Sequence, residues 1–333
     1  MNNDGLIVSS SPHIKTKEGT RYVMLDVIIA LLAPFAMSIY FYGARSISIV
    51  CVSTASCIAF EWLYRKWTKK SATIGDLSAV VTGILLGLNM PATIPLWIPV
   101  IGAFFAIVIV KQLYGGLGKN FVNPALAARA FLFSWASEMT TFVEPGSKLS
   151  LFGNVSAVDI VTSATPLASL KTGSLPDVSI FDLSVGNVAG CIGETSTLVI
   201  LVAGLYLILR RVISARIPLC YLLTVAVLTF LFPLGGVGRF DFMLYSLCSG
   251  GVVFGAFFMA TDYATSPVTP WGRIVYGVGC GALTVMIRYF GAYAEGVTFA
   301  ILIMNCCSWV IEKITRPNRY GLVKEKKEAV KNA

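Results

Sequence analysis

Six ionisable or amide side chains interrupt or border otherwise apolar stretches of this sequence: Asp26, Glu61, Lys111, Asn123, Arg129 and Asp262. A charge at the centre of a hydrocarbon layer costs about 2.5–3.5 kcal/mol on insertion scales, so each needs either a partner or a task. On one reading some of them line an ion path or a cofactor pocket. On the other, Glu61, Lys111 and Asp262 sit at interfaces, where they snorkel or pair. Arg129 lies near the middle of its run, eight residues after Phe121. It calls for a carboxylate, a backbone carbonyl or a cofactor oxygen. Asn123-Pro124 removes a backbone donor and leaves a carbonyl free, which either serves a ligand or cation or simply marks a helix entrance.

A second candidate is rich in hydroxyls: Asp159-Ile-Val-Thr162-Ser163-Ala164-Thr165-Pro166. By local rules alone it reads as a Ser/Thr turn running into proline. Other chemistries are excluded. The glycines of GGLGKN lack the GxxxxGK[ST] spacing that cradles phosphates, and no strand precedes them, so nucleotide hydrolysis is rejected. The single histidine, His13, rules out a His-rich zinc or haem site built from this chain alone. No metal ligands are predicted, with a shared cysteine ligand left open. The eight cysteines include no CxxC pair and fall mainly in or beside apolar runs. They are expected to be reduced and buried.

The elements that must position these groups follow from composition. Apolar residues make up 56% of the 333, charged residues only 13%, and mean hydropathy is +0.76. A soluble chain carries roughly a quarter charged residues, so a soluble enzyme is excluded and the missing polar surface must face lipid. The first residues carry no leader with a small-residue cleavage site, and the first apolar run is expected to be retained. Spans of about 20 residues are predicted near 22–43, 46–63, 77–90, 95–113, 120–137, 194–209, 217–234, 244–260, 272–290 and 296–313. The third and eighth are short or Gly-rich, as broken or tilted helices are.

Charge sets the orientation. With the amino terminus cytoplasmic, 20 of the 26 Lys and Arg residues fall on the inner side, five (Arg45, Lys148, Lys171, Arg239 and Arg288) on the outer side and Arg129 within a span, so ten spans with both termini inside are expected. That asymmetry also removes the net charge of +9 as an argument for nucleic acid. The chain therefore divides into a cytoplasmic segment 1–21, a first helical half 22–137, an external loop 138–193, a second half 194–313 and a basic tail 314–333. The halves resemble one another: LSAVVTGILLGLNMPATIPLW (77–97) matches LCSGGVVFGAFFMATDYATSPVTPW (247–271), and KQLYGG (111–116) loosely matches IRYFGA (287–292). Five spans per half makes the two halves inverted, an arrangement that gathers broken helices around a site near the midplane. The bland alternative is that close-packed membrane helices favour the same small residues. The fold class is thus an all-α integral membrane protein of about ten helices in two inverted five-helix repeats.

Three segments, SSSPHI (9–14), SATIGDLSAVVTGILLGLNMP (71–91) and GGLGKNFVNPALAARAF (115–131), resemble the family of Rnf electron-transport D subunits. The related B subunits of sodium-pumping NADH:quinone reductases share the last two. The likeness runs through both halves, and a first span starting near residue 22 favours the D type over the longer B type. In this family an Asp, two variable residues, Ser or Thr, a small residue and Ala-Thr mark where flavin mononucleotide is joined to threonine. The resemblance therefore implies Thr165 as the acceptor, with Asp159, Thr162, Ser163 and Ala164 as the motif read by a flavin transferase. It also implies a second, non-covalent riboflavin, whose contacts the resemblance does not identify, and no catalytic side chain; Asn123 and Arg129 are candidate cofactor-binding residues by their positions alone. The implied activity is one subunit's share of a redox-driven sodium or proton translocase in the cell membrane, linking ferredoxin and NAD. The implied partners are the G, A, E and C subunits, with the flavin loop outside. The rivals are a quinone-reducing B-type subunit and a solute channel without redox chemistry.

Overall fold

The computed structural model describes residues 19–71, 73–151, 165–291 and 295–317, and every regular element among them is helical. The first half holds α1 (Thr20–Tyr42), α2 (Ala44–Trp67), α3 (Ser78–Leu88), α4 (Trp97–Gln112) and α5 (Pro124–Leu132). A short α6 (Ala136–Met139), α7 (Pro166–Lys171) and α8 (Ile180–Val185) lie within or beside the connecting segment. The second half holds α9 (Thr197–Leu209), α10 (Arg216–Leu231), α11 (Arg239–Cys248), α12 (Val252–Met259), α13 (Pro270–Phe290) and α14 (Val297–Thr315).

Helices α1, α2 and α14 are long and apolar enough to cross a membrane, and α11 with α12 forms a fourth candidate bent by 61°. The helix α9 shows why lipid must be the solvent here. Leu198, Leu201, Val202, Leu205 and Leu209 form an exposed stripe, yet its opposite face, Ile200, Ala203 and Leu207, is buried and just as apolar. A helix apolar all round with one face uncovered is stable only against hydrocarbon.

Between helices, small residues set the approach. On α3, Gly83 lies so close to α2 that a Cβ would stand 2.5 Å from the Thr54 Cα, and one on Gly87 would stand 2.9 Å from the Val50 Cα. Gly277 and Gly281 on α13 meet α10 the same way, 2.9 Å from the carbonyl oxygens of Ile217 and Tyr221. Both pairs are four residues apart on one helix face, the spacing that lets membrane helices pack backbone to backbone.

The α11–α12 break is made by Gly250, whose φ of +69° places it in the left-handed region. A break strands carbonyls at the end of α11, and Arg288 of α13 satisfies two of them, Ser246 O at 2.7 Å and Ser249 O at 3.0 Å. Both α4 and α12 finish as wider π-turns, Phe105–Gln112 and Gly255–Met259. The cysteines are all free, but only Cys57, Cys191 and Cys280 are buried, while Cys51, Cys306 and Cys307 are exposed. That corrects the expectation of burial throughout: an apolar run fixes that a cysteine is among hydrophobic neighbours, and in a membrane helix half of those face outward.

Candidate functional site

Two cavities open from opposite ends of α5. Asn123 starts that helix, its side-chain oxygen accepting from Ala125 N at 3.0 Å and Leu126 N at 3.4 Å, with Pro124 in the first turn. The Asn-Pro pair is therefore a helix entrance, and in addition Asn123 lines the first cavity together with Ser78, Lys111, Asn120 and Asp262. The enclosed part is small, about 80 Å3. A broad groove that also reaches Asp262 borders it, flanked by α1 and α14.

The second cavity, of about 280 Å3, is lined by Arg129, Phe133, Met139, Phe142, Thr165, Cys191, Glu194, Thr195 and Glu295, among others. Thr165 enters it from the residue preceding α7, in extended conformation with Pro166 behind it, and its side chain makes no capping hydrogen bond. A hydroxyl not used in capping is thus presented at a cavity whose size is close to the roughly 300 Å3 lower limit of ligand pockets. Asp159, Thr162, Ser163 and Ala164 lie outside the described residues.

Arg129 reaches this cavity from the far end of α5 and is 3% exposed. It donates to Asn89 Oδ1 at 2.8 Å, Glu194 Oε1 at 3.2 Å and Glu295 Oε2 at 2.5 Å, with Cys191 Sγ at 3.2 Å. The mid-run arginine is thus paired with two carboxylates. Glu194 ends a short turn before α9 and Glu295 stands two residues before α14, so neither interrupts a helix. Nothing in their local pattern distinguishes them; the available signal was the arginine's need for a partner. Cys191, Glu194 and Glu295 bring their ligand atoms within 4.8 Å of one another. Arg129, though, already occupies the cation position, and burial, reinforced by Glu194, holds the Cys191 thiol well above its usual range. A protonated thiol beside a guanidinium is a poor metal site.

The remaining residues picked out from the sequence are paired. Glu61 and Lys111 form an ion pair at 2.9 Å, with side chains 0% and 3% exposed. Ser78 Oγ at 2.6 Å from Lys111, together with Thr73 and Gln112 on Glu61, completes the network. Asp26 on α1 accepts from Tyr206 and Arg210 of α9 at 3.1 Å each, and Asp262 accepts from Ala264 N and Thr265 in the turn after α12. Asn123 and Arg129 do not share a site. One faces each cavity, about 9 Å apart by six residues of helical rise.

The model of the NQR2, RnfD, RnfE family matches residues 7–321. Among similar proteins, the D subunit of the Na(+)-translocating ferredoxin:NAD(+) oxidoreductase complex of Acetobacterium woodii is 48% identical, with 99% of each chain covered. The D subunit of the proton-translocating ferredoxin:NAD(+) oxidoreductase complex of Clostridium ljungdahlii is 39% identical over 94% of this chain and 96% of its own. The D subunit of the ion-translocating oxidoreductase complex of Alcanivorax borkumensis is 37% identical over 95% and 97%.

Proposed function

This chain belongs to the NQR2, RnfD, RnfE family, and from that premise we propose that it is the D subunit of an ion-translocating ferredoxin:NAD+ oxidoreductase. On this reading it carries electrons through flavin mononucleotide esterified to Thr165. The observation that carries the reading is that the motif threonine stands with its hydroxyl uncommitted to capping on the wall of a cavity. Thr195 adds to the fit: it lines the same cavity, is 2% exposed, and its Oγ1 has no hydrogen-bond partner among the described residues. A buried hydroxyl left in that state is what a polar ligand edge would satisfy.

Bound there, the isoalloxazine ring supplies one- and two-electron chemistry. The protein's part is to hold and tune. Thr165 anchors, exchanging its hydroxyl hydrogen for a bond to phosphorus. Phe133 and Phe142 provide apolar walls, and Arg129 with its paired Glu194 and Glu295 provides the charged wall. The non-covalent riboflavin is assigned to the other cavity and its adjoining groove, whose polar lining includes Asn120, Asn123 and Asp262. The topology that goes with this reading is ten spans in two inverted halves, both termini cytoplasmic, and the Thr165 segment outside in the cell membrane. The G, A, E and C subunits would be electron and ion partners. Relatives named for sodium and for protons match with nearly full coverage, so the coupling ion is not a property this likeness specifies. Those names are of oxidoreductase subunits, which weighs against a passive channel.

The test is mass spectrometry of the full chain expressed with a flavin transferase. The peptide containing Thr165 should gain flavin mononucleotide less one water, and Thr165→Ala should lose it, while acid precipitation releases riboflavin from both. An unmodified native peptide would overturn the reading.

A further inference from the structure

The outer cavity holds more acid than its arginine neutralises. Glu194 and Glu295 bring carboxylate oxygens within 4.8 Å of one another and both pair with the one guanidinium of Arg129, their side chains 6% and 17% exposed. Their approach depends on Gly251 at the α11–α12 break. A Cβ there would stand 2.5 Å from Glu194 Oε1 and 2.6 Å from Glu295 Oε1. Arg288 lies beyond Gly250 and its charge is felt by both glutamates, but it spends its donors on the Ser246 and Ser249 carbonyls and forms no ion pair with either. Tyr42 of α1, Tyr221 of α10 and the Cys191 thiol add no positive charge. Two ionised carboxylates crowded onto one buried guanidinium repel each other, and a single proton shared between them removes that repulsion.

Resting on the flavin reading of the same cavity, we propose that Glu194 and Glu295 hold one proton between them and exchange it with the flavin as its redox state changes. As two electrons enter the ring from the partner redox subunits, the carboxylic acid gives up its O–H proton to a ring nitrogen. Both carboxylates are then ionised against Arg129. When the electrons leave to the next carrier, the N–H bond breaks and the proton returns to the pair. Asn89, also bonded to Arg129, fixes the guanidinium while this happens. Thr195 Oγ1, on the same wall and without a partner among the described residues, is a further group placed to bond the ring edge.

The experiment uses the full-length chain in detergent, with flavin on Thr165 verified by mass. Infrared difference spectra are recorded between the oxidised and dithionite-reduced states. In the native chain a protonated-carboxyl band should vanish on reduction and shift in deuterium oxide, and it should be lost in Glu194→Gln and in Glu295→Gln. In parallel, the flavin midpoint potential should be nearly independent of pH across neutrality in the native chain, because the proton moves within the site, and it should fall with pH in either variant, where the ring must take its proton from solvent. A merely structural role for the pair would leave the slope unchanged. Absence of a redox-linked carboxyl band in the native chain overturns the proposal without recourse to any variant. Absence of flavin on Thr165 overturns the underlying reading instead, so the two failures are distinguishable.

Discussion

At the scale of single residues, some charges buried in this protein face a cavity and some hold helices together. Glu61 and Lys111 do the second, although Lys111 also borders the first cavity: their ion pair joins α2 to the π-turn end of α4. Breaking one side of a buried pair leaves the other charge without compensation and costs about 3–5 kcal/mol, whereas replacing both with apolar residues is often close to neutral. Lys111→Met should therefore lower the unfolding midpoint in detergent markedly, and Glu61→Met with Lys111→Met should recover most of the loss. If the double variant is as unstable as the single, the pair is not what the lysine contributes. Each of these residues is visible in the sequence as a charge in an apolar run. Their pairing is not, because it joins positions 50 residues apart through the packing of α2 on α4. Arg129 shows the same limit more sharply. Its need for a carboxylate follows from its position, but Glu194 and Glu295 sit in turns, where acidic residues are ordinary.

At the scale of elements, the glycines decide how close helices come. Gly83 allows α3 to reach the backbone of α2, and the atom it would strike is the Thr54 Cα, which cannot swing aside. Gly83→Ala should push α3 from α2 and lower thermal stability by several degrees. Gly75→Ala, whose Cβ would meet nothing within 4 Å, should leave stability unchanged. Equal melting of the two variants in a light-scattering or fluorescence assay would show that the close approach is not carrying the packing. Helix positions were largely legible from apolar length: runs predicted at 46–63, 95–113 and 272–290 correspond to α2, α4 and α13. The breaks were legible only as glycine-rich or short segments. What turns such a segment into a 61° bend is a residue elsewhere, Arg288, ready to donate to the stranded carbonyls. The span predicted at 120–137 is likewise interrupted after Leu132 by a tight turn that leads into α6, a local rewinding that hydropathy averages away.

At the scale of the whole molecule, orientation follows from which basic side chains stay at the water-facing surface. Of the five assigned to the outer side by the sequence, Arg45 and Arg288 are 4% and 5% exposed and donate to the carbonyls of Ile94 and of Ser246 and Ser249. In the folded chain they are structural groups and not water-facing loop charge. Lys148, Lys171 and Arg239 stay in the outer count. Lys111 leaves the inner count for the same reason as Arg45, but the cluster of Arg65 and Lys66 in the last turn of α2 with Lys69 and Lys70 just beyond it does not depend on it. The asymmetry is thereby steeper than the sequence alone indicates, and loop charge of this kind governs insertion. Asp177, exposed in the segment between α7 and α8, and Lys70, exposed beyond α2, should lie on opposite faces. Asp177→Cys should then react with a membrane-impermeant maleimide in intact cells, and Lys70→Cys only after the membrane is opened, each scored against the native chain because its own cysteines are free. Labelling of both from the same side would overturn the inverted arrangement. With it would go the argument that Thr165 faces outward, since α7 and Asp177 share one connecting segment between the halves.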